Sequence, residues 1–430
     1  MPKKTDFTIL EKYIRKHPML CDFHSEWKKK GGLMVVIPVY REQDWINESL
    51  ESIMKCDNPE CEVGVVLVFN ASEYDSPEVV RDQKTSAEFI RANYQNRFPS
   101  WMHLFIMEEY ALPKKHFGAG FARKIGMDAA AYCFLNAEDP HGVIVTLDAD
   151  TTVSPNYFVA IRDWFTEPSN TGASIYFEHP LSGHDFSDEV YEGITLYELH
   201  LRYYLQAHRY AGFPYSFHTM GSAMALRAVA YAKIGGMPKK QAGEDFYFLQ
   251  KLIPLGGFGD LNTTAVYPSP RPSDRVIFGT GAAITSHVDG SVNIGKTYHI
   301  QAFEDIKLFF ERKNEYYNLS PNKLEEWSYE FSGPVRSFLL NYSVLSDLQV
   351  IKKDCSSVDV FSKRFFEVFN AFKMVKYLNY THEHFFEKMP VFNASLALLE
   401  KQGHSVDEFM FEKELLEYFR KLEKGMGIGS

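Results

Sequence analysis

Apolar runs and helical patterns alternate along the first 255 residues of the chain. Four nearly continuous apolar runs predict strands buried on both faces, at residues 33–39, 63–69, 101–107 and 143–147. Helical spacing of apolar residues predicts helices between these runs, over residues 43–55, 76–95 and 118–136. Strands that alternate with helices form a parallel sheet with helices on both faces. The pattern therefore predicts an α/β fold with an open, mainly parallel, Rossmann-like sheet.

The pattern changes toward the C-terminus. A strand at 171–177 and helices at 187–210 and 244–252 continue the α/β pattern, and the Pro- and Ser-rich residues 267–273 predict a loop. Beyond about residue 300 only helices are expected, including one that carries Phe361, Phe365, Phe369 and Phe372. A capping box over residues 405–408 predicts the start of the last helix.

These patterns suggest three regions. Residues 1–30 form a helical extension, in which Leu10, Tyr13, Ile14 and His17 follow helical spacing. Residues 31–298 form the α/β domain, and residues 299–430 form a C-terminal, all-helical module. A chain of 430 residues with 45% hydrophobic residues is long enough for a large core and a second, smaller domain.

Charge and cysteine content exclude several classes of protein. A net charge of −10 argues against a nucleic-acid partner, because such binding depends on clusters of Lys and Arg. The five cysteines are odd in number and lack Cys-x-x-Cys spacing, which argues against a disulfide framework and a structural zinc site. No segment has about eighteen consecutive apolar residues. A cytoplasmic protein is expected, and peripheral attachment to the inner face of a membrane stays open.

Two carboxylates separated by one residue follow the fourth predicted strand. In open α/β sheets, ligands bind at the carboxyl ends of the strands, where Asp148 and Asp150 are expected. A divalent cation held by one or two carboxylates keeps its other positions for phosphates and water. The pair therefore predicts a metal-assisted diphosphate site, with Asp150 as the direct ligand and Asp148 as a ligand or a ribose contact. His218 and His287 are candidates for a third ligand.

Adjacent acids stand at the start of the helix predicted at 244–252. Glu244 and Asp245 could simply compensate the helix dipole. Adjacent helical residues point about a third of a turn apart, so that one acid should face a site. We expect Asp245 to act as a general base, while Glu244 orients or binds an acceptor.

Three arginines are candidates for contact with a diphosphate. Arg123 follows the glycine-rich segment that contains Gly118, and it could contact the diphosphate or form a structural salt bridge. Arg271 and Arg275 lie in and just after the Pro-rich loop, which could carry positive charge to a leaving diphosphate or simply lie on the surface. A P-loop is absent, because no Gly-Lys-Ser/Thr follows the glycines.

Five motifs occur in the order and spacing of the family 2 glycosyltransferases, which residues 33–255 resemble. The motifs are residues 35–42, Asn70, residues 118–126, residues 147–150 and residues 243–245. The resemblance implies the GT-A fold, a nucleotide-diphosphate sugar donor, a Mg²⁺ or Mn²⁺ ion and inversion at the anomeric carbon. A UDP-sugar is favoured as donor, and a glycan or glycolipid is expected as acceptor, in cell-surface polysaccharide or glycolipid assembly.

The resemblance also implies roles for individual residues. Pro38, Tyr40 and Glu42 would border the base and ribose, and Asn70 stands where the family often has Asp beside the nucleobase. Asp148 and Asp150 would be the metal and ribose carboxylates. Independently of the resemblance, His287 is favoured over His218 as the third metal ligand. Asp245 would deprotonate the acceptor. The Gln-x-x-Arg-Trp pattern of processive synthases is missing, which favours transfer of a single sugar.

Two rival functions remain. A sugar-nucleotide pyrophosphorylase would carry a Gly-rich, basic loop after its first strand, where residues 38–42 of this chain stand instead. Exchange of labelled pyrophosphate without an acceptor would favour that enzyme. A non-catalytic sugar-nucleotide-binding scaffold would not need Asp148, Asp150 and Asp245, whose presence argues against it.

Overall fold

The computed structural model describes residues 4–18, 26–241, 243–275 and 279–425. The chain forms two compact units. The first comprises Met1–Phe186 and Thr219–Ala282, and the second comprises Ser187–His218 and Ala283–Ser430. The helix predicted at 187–210 thus belongs to the second unit, together with the C-terminal helices.

An eight-stranded sheet is the centre of the first unit. Its strands are β1 (Leu33–Val39), β2 (Val63–Ser72), β3 (Met102–Leu112), β4 (Val143–Thr146), β5 (Thr151–Val153), β6 (Gly172–Phe177), β7 (Met224–Arg227) and β8 (Phe258–Pro268). They lie in the order β3-β2-β1-β4-β7-β6-β8-β5. The β3-β2-β1-β4 strands and the β6-β8 pair are parallel, and the other three pairings are antiparallel. The prediction of an α/β fold with a mainly parallel sheet is confirmed.

The order of the parallel strands creates the place for a site. After β1 the chain builds β2 and then β3 on one side, and β4 pairs with the other side of β1. Val36 of β1 is aligned with Thr146 of β4, so that their carboxyl ends lie side by side. A crevice at such a reversal of strand order is the usual ligand site in open α/β sheets.

Helices flank the sheet of the first unit and continue through the second unit. In chain order they are α1 (Lys4–Lys16), α2 (Ile46–Met54), α3 (Pro77–Tyr94), α4 (Ala119–Asn136), α5 (Tyr157–Trp164), α6 (Asp188–Tyr210), α7 (Ala228–Lys233), α8 (Glu244–Leu252), α9 (Thr280–Val288), α10 (Ile300–Glu311), α11 (Lys313–Asn318), α12 (Leu324–Ser328), α13 (Gly333–Asn341), α14 (Val344–Lys353), α15 (Val358–Val368), α16 (Ala371–His384), α17 (Val391–Lys401) and α18 (Glu412–Glu423). Helix α4 packs against β1 and β2. Gly126 permits this approach, because a Cβ there would lie 2.3 Å from Cγ1 of Val36.

In the second unit, α6 packs against α10, α17 and α18. The buried Arg202 of α6 donates hydrogen bonds to Glu198 and to Glu423 of α18. This arrangement compensates the charge of a guanidinium that has no access to water. Among the described residues, no helix has the length and the apolar character needed to cross a membrane.

Several local predictions were wrong. The C-terminal region is not purely helical, since β9 (Lys296–Thr297) pairs with β10 (Met389–Pro390). The capping box at 405–408 does not start α18, in which Glu414 instead accepts hydrogen bonds from the backbone N–H groups of Met410 and Phe411. The phenylalanine pattern crosses a helix boundary, because α15 ends at Val368. Periodicity alone does not mark such boundaries.

Three strands of the sheet, β5, β7 and β8, were missed by the sequence interpretation. β5 is only three residues long, too short for a periodic signal. β8 has polar residues at positions 260 and 262–264, which conceal its strand pattern, and it extends two residues into the predicted loop at 267–273. β5 and β8 pair with each other in the outer part of the sheet.

Candidate active site

The carboxyl ends of β1 and β4 carry the predicted donor-side residues. The backbone N–H of Leu147 donates to the carbonyl of Val36 at 3.1 Å, which continues the pairing of the two strands. A turn then follows, in which the N–H of Thr151 donates to the carbonyl of Asp148 at 3.1 Å. Asp148 and Asp150 therefore lie in the tight turn that joins β4 to β5 at the expected edge of the sheet.

A buried arginine joins the two acidic motifs. Arg123 donates a hydrogen bond from Nη2 to Oδ1 of Asp148 at 2.7 Å and another from Nη1 to Oε1 of Glu244 at 2.6 Å. Its side chain is 3% exposed, and that of Glu244 is 10% exposed. Of its two predicted roles, the structure supports the salt bridge. Arg123 thereby ties the turn after β4 to the start of α8, where Asp245 stands.

Two glycines provide the space for this ion pair. A Cβ on Gly120 would lie 2.3 Å from Cγ of Glu244, and a Cβ on Gly221 would lie 2.9 Å from both terminal nitrogens of Arg123. Gly118 ends the loop before α4 with φ of 150°, and a Cβ there would lie 3.1 Å from the carbonyl oxygen of Gln241. The glycine-rich segment therefore serves close packing around Arg123.

Asp245 has a strongly perturbed pKa. Burial, together with the neighbouring charge of Glu244, raises the pKa of Asp245 to about 6, against the opposing positive charge of Arg123. A carboxyl with such a pKa can hold and release a proton near neutral pH. Glu244, by contrast, is occupied by Arg123, so that its side chain has a structural role in addition to any contact with an acceptor.

Arg271 connects the loop after β8 to the donor side. Its Nε donates to Oδ2 of Asp150 at 2.6 Å, and its Nη2 donates to both carboxylate oxygens of Glu42 at 2.7 and 2.6 Å. Its guanidinium also lies over the ring of Trp45, 5.4 Å from the centroid. Burial raises the pKa of Asp150, and the positive charge of Arg271 opposes that rise. Arg271 is therefore the counter-ion of two acids at the sheet edge.

Arg275 anchors the same loop to the segment after β1. Its Nη1 donates to the carbonyl oxygens of Tyr40 and Arg41 at 2.6 and 3.1 Å and to Oε1 of Glu42 at 2.7 Å. Burial and the charge of Asp150 raise the pKa of Glu42, against the opposing effect of both arginines. The loop is thus held at the site through Glu42, which the sequence interpretation had assigned to the base and ribose.

The predicted base-side residues hold the ends of β1 and β2. Pro38 is buried within β1. The side-chain amide of Asn70 donates to the carbonyls of Val39 and Val68 at 3.0 and 3.1 Å, and Asn70 is 2% exposed. Tyr40 donates from its hydroxyl to Oδ1 of Asp75 at 3.1 Å. In this structure Asn70 has a backbone-supporting role.

Two residues of this region were missed by the sequence interpretation. Asp75 follows β2 by three residues and also accepts a hydrogen bond from the N–H of Ser72 at 2.7 Å. The fully buried Gln83 donates to the carbonyls of Val39 and Asn70 at 2.8 and 2.9 Å. An acid shortly after a buried strand is a signal that could have identified Asp75. No local signal distinguishes Gln83 from a surface residue of a helix.

The candidate third metal ligands lie in the second unit. His218 is within hydrogen-bonding distance of Glu423, with 3.2 Å between Nε2 and Oε2. A Cβ on Gly193 would lie 2.7 Å from Cδ2 of His287, so that the His287 ring lies against α6. Within residues 4–18, 26–241, 243–275 and 279–425, no group of three or more His, Cys, Asp or Glu side chains is arranged to hold a metal ion. The role of His287 as a ligand stays a prediction.

Comparisons with known proteins agree with the chemistry of this edge. Residues 143–276 match the model of Glycosyl transferase family group 2. No curated protein matches the chain. The matched segment contains both aspartates after β4, Asp245 and the two arginines after β8.

Solved structures give weaker likenesses. S. aureus TarS 1-349 in complex with UDP-GlcNAc is 15% identical with a TM-score of 0.38, covering 79% of this chain and 91% of that chain. GalNAc-T7 with UDP, GalNAc and Mn²⁺ is 13% identical with a TM-score of 0.37, covering 81% of this chain and 58% of that chain. Likenesses at this level carry no argument about the present chain. The match over residues 143–276 shows that this segment is similar to the glycosyltransferases of family group 2, in agreement with the resemblance found in the sequence.

Proposed function

We propose that this enzyme transfers one sugar from a nucleotide-diphosphate sugar, with UDP-sugars favoured, to a hydroxyl of a glycan or glycolipid acceptor, with inversion and with the help of a divalent cation. The observation that carries the proposal is Asp245. It is an acid with a pKa of about 6, and Arg123 connects the start of its helix to Asp148 on the donor side. A base and a diphosphate-binding edge are the two parts that a single-displacement sugar transfer needs.

On the acceptor side, Asp245 takes the proton. As the acceptor oxygen attacks the anomeric carbon, its proton moves to a carboxylate oxygen of Asp245. The bond from the anomeric carbon to the diphosphate oxygen breaks on the opposite face of the sugar, and this single displacement inverts the centre. A pKa near 6 leaves Asp245 ionised at neutral pH, yet close enough in basicity to accept a proton in the transition state.

On the donor side, the chain's own charges bind the diphosphate. Asp148 and Asp150 fit a Mg²⁺ or Mn²⁺ ion, because both offer hard oxygen donors. The negative charge of Asp148 also raises the pKa of Asp150, and a bound cation would offset that effect. Such an ion supplies neutralisation of the charge that develops on the departing diphosphate. Arg271 and Arg275 border the same carboxylates, so that they would orient the diphosphate beside Asp150.

Calorimetry and turnover together test this proposal. Thermal-shift screening of UDP, GDP and TDP with and without Mn²⁺ identifies the nucleotide, after which donor turnover is measured with a panel of hydroxyl acceptors. Asp245→Asn should abolish acceptor-dependent turnover and leave the affinity for the nucleotide unchanged. Asp163→Asn, at an exposed carboxylate of α5, is the matched control and should retain full activity. Unchanged turnover in Asp245→Asn would refute the assignment of the base.

The setting of the reaction follows from the family resemblance. We propose cell-surface polysaccharide or glycolipid assembly on the cytoplasmic side of a membrane, with peripheral attachment through the acceptor. Transfer of the sugar to a membrane-associated acceptor in a cell extract would support this setting. Transfer only to a soluble small molecule would contradict it.

A further inference from the structure

A group of basic side chains lies on the two loops that lead into α4 and α8. We name it the lysine patch and define it as Lys114, Lys115, His116, Lys239 and Lys240. The four lysines are exposed. They stand in a chain whose net charge is −10, so that general basicity of the protein does not account for them.

The two loops are joined to each other. The side-chain amide of Gln241 donates to the carbonyl of Lys114 at 2.8 Å, and Nδ1 of His116 lies 3.2 Å from the carbonyl oxygen of Lys239. Gly118 and Gln241 also approach closely, since a Cβ on Gly118 would lie 3.1 Å from the Gln241 carbonyl oxygen. The patch is therefore one surface, although its halves are more than a hundred residues apart in sequence.

The charges of the patch are not compensated by acids. In the described part of the chain, none of the four lysines forms an ion pair with a carboxylate. Glu73, which follows β2, accepts a hydrogen bond from the backbone N–H of Lys114 at 3.0 Å. Exposed ammonium groups without ion-pair partners produce a local positive potential that attracts anions.

Aromatic rings alternate with the ammonium groups. Nζ of Lys240 lies 3.3 Å from the ring centroid of Tyr247, and Nζ of Lys114 lies 5.0 Å from that of Tyr74. Both rings are accessible, with Tyr74 72% exposed and Tyr247 37% exposed. Aromatic faces suit the apolar faces of sugar rings, and lysines bind phosphates as point charges. Together they suit a molecule in which sugars and phosphates follow one another.

The patch lies on the acceptor side of the proposed site. The loop with Lys239 and Lys240 runs directly into α8, which begins with Glu244 and Asp245, and Tyr247 follows Asp245 by two residues. In the proposed function the donor diphosphate is bound elsewhere, by Arg271 and Arg275, which pair with Asp150 and Glu42. We infer that the lysine patch binds phosphate groups of the acceptor, and that the acceptor is therefore a glycan that carries phosphate. This inference rests on the proposed function, in which Asp245 faces the acceptor hydroxyl.

Binding of labelled, phosphorylated dextran to the full chain tests the inference. The test variant replaces Lys114, Lys115, Lys239 and Lys240 by Gln. The control variant replaces Lys28, Lys30, Lys55 and Lys84 by Gln, because these exposed lysines of the first unit give the same change of net charge. Fluorescence anisotropy gives the affinity of each protein, with neutral dextran of the same length and phosphatidylglycerol vesicles as further ligands.

The expected result has three parts. Wild type binds phosphorylated dextran and not neutral dextran, and four phosphate contacts would weaken this binding by about fifty-fold between about 50 and about 200 mM salt. The test variant binds at least about tenfold more weakly than wild type, and the control variant stays within about twofold. The affinity for UDP, measured by calorimetry, is the same in all three proteins.

Several results would overturn the inference. The control variant could lose as much affinity for phosphorylated dextran as the test variant, wild type could bind neutral dextran equally well, or wild type could fail to bind phosphorylated dextran at all. A loss of UDP affinity in the test variant would assign the patch to the donor. Binding of the vesicles alone would identify a membrane surface as the partner instead. Donor turnover by wild type is measured separately, so that failure of the proposed function is recognised even when phosphorylated dextran binds.

Discussion

Replacement of Arg123 by Met removes the charge that joins the two halves of the site. Met retains the apolar volume of the side chain and leaves the carboxylate of Glu244 without a partner. Glu244 is only 10% exposed, so that water cannot replace the lost ion pair. Arg123→Met should therefore destabilise the first unit and lower activity, although Arg123 is proposed to contact neither the acceptor nor the sugar.

The size of the effect follows from the exposure of the two carboxylates. Removal of one partner from a buried ion pair typically costs about 3 to 5 kcal/mol. Asp148 is 39% exposed, so that water screens its pairing with Arg123 and little stability is lost there. We therefore expect a loss near the lower end, about 3 kcal/mol, which arises from Glu244. Glu244→Gln in the same chain should recover about 1 to 2 kcal/mol, because it removes the unpaired charge.

Urea unfolding followed by tryptophan fluorescence measures this loss. Four of the five tryptophans, Trp27, Trp45, Trp101 and Trp164, lie in the first unit. Arg97→Met is the control, because Arg97 and Glu51 form an Arg–carboxylate pair with the same distance of 2.6 Å on the surface. The midpoint of unfolding should fall for Arg123→Met and stay unchanged for the control. Additive effects of Arg123→Met and Glu244→Gln would refute the reasoning.

Three further predictions concern the carboxylates of Asp245 and Asp150. Folding favours the protonated form of Asp245, so that its contribution to stability is present below its ordinary pKa of 3.8 and is lost as the pH rises through about 6. Asp245→Asn should therefore be more stable than wild type by about 3 kcal/mol at pH 8 and no more stable at pH 3, as measured by thermal unfolding, and equal stability at pH 8 would contradict the burial of this acid. Arg271→Met should strengthen Mn²⁺ binding in the absence of nucleotide by about tenfold, or about 1.4 kcal/mol, because a guanidinium no longer competes for Asp150. Electron paramagnetic resonance of free Mn²⁺ measures this affinity, and an unchanged value would show that the two cations do not compete. Asp150→Ala should abolish the Mn²⁺-dependent part of UDP binding in calorimetry, and a retained metal dependence would place the ion elsewhere.

The parallel half of the sheet could be predicted because its signals are local. The residues of β1 form a continuous apolar run, and the observed strand, Leu33–Val39, has the predicted bounds. Asp148 and Asp150 directly follow β4, so that their position at the sheet edge depends only on that strand. The strands β5 and β8 escaped prediction, because their pairing, rather than their own residues, gives them strand structure.

The partners of the charged residues could not be predicted. Arg123 and Glu244 are 121 residues apart in the chain, and Arg271 and Glu42 are 229 residues apart. The role of Gln83 could not be predicted either, because it supports the end of β1 from a helix that is otherwise ordinary in sequence. The sequence offered Arg123 two roles, and only the folded chain showed its salt bridges.

By itself, the sequence determined the parallel strands β1 to β4, the acids that follow β4 and the helix that begins with Glu244 and Asp245, because each of these depends on residues close together in the chain. The tertiary structure decided that Arg123 joins Asp148 to Glu244, that Arg271 and Arg275 meet Glu42, and that two separate loops form one lysine patch. The physical reason is that hydrophobic periodicity is a local property. An ion pair, or a patch of like charge, depends instead on distances that exist only after the sheet has aligned its strands.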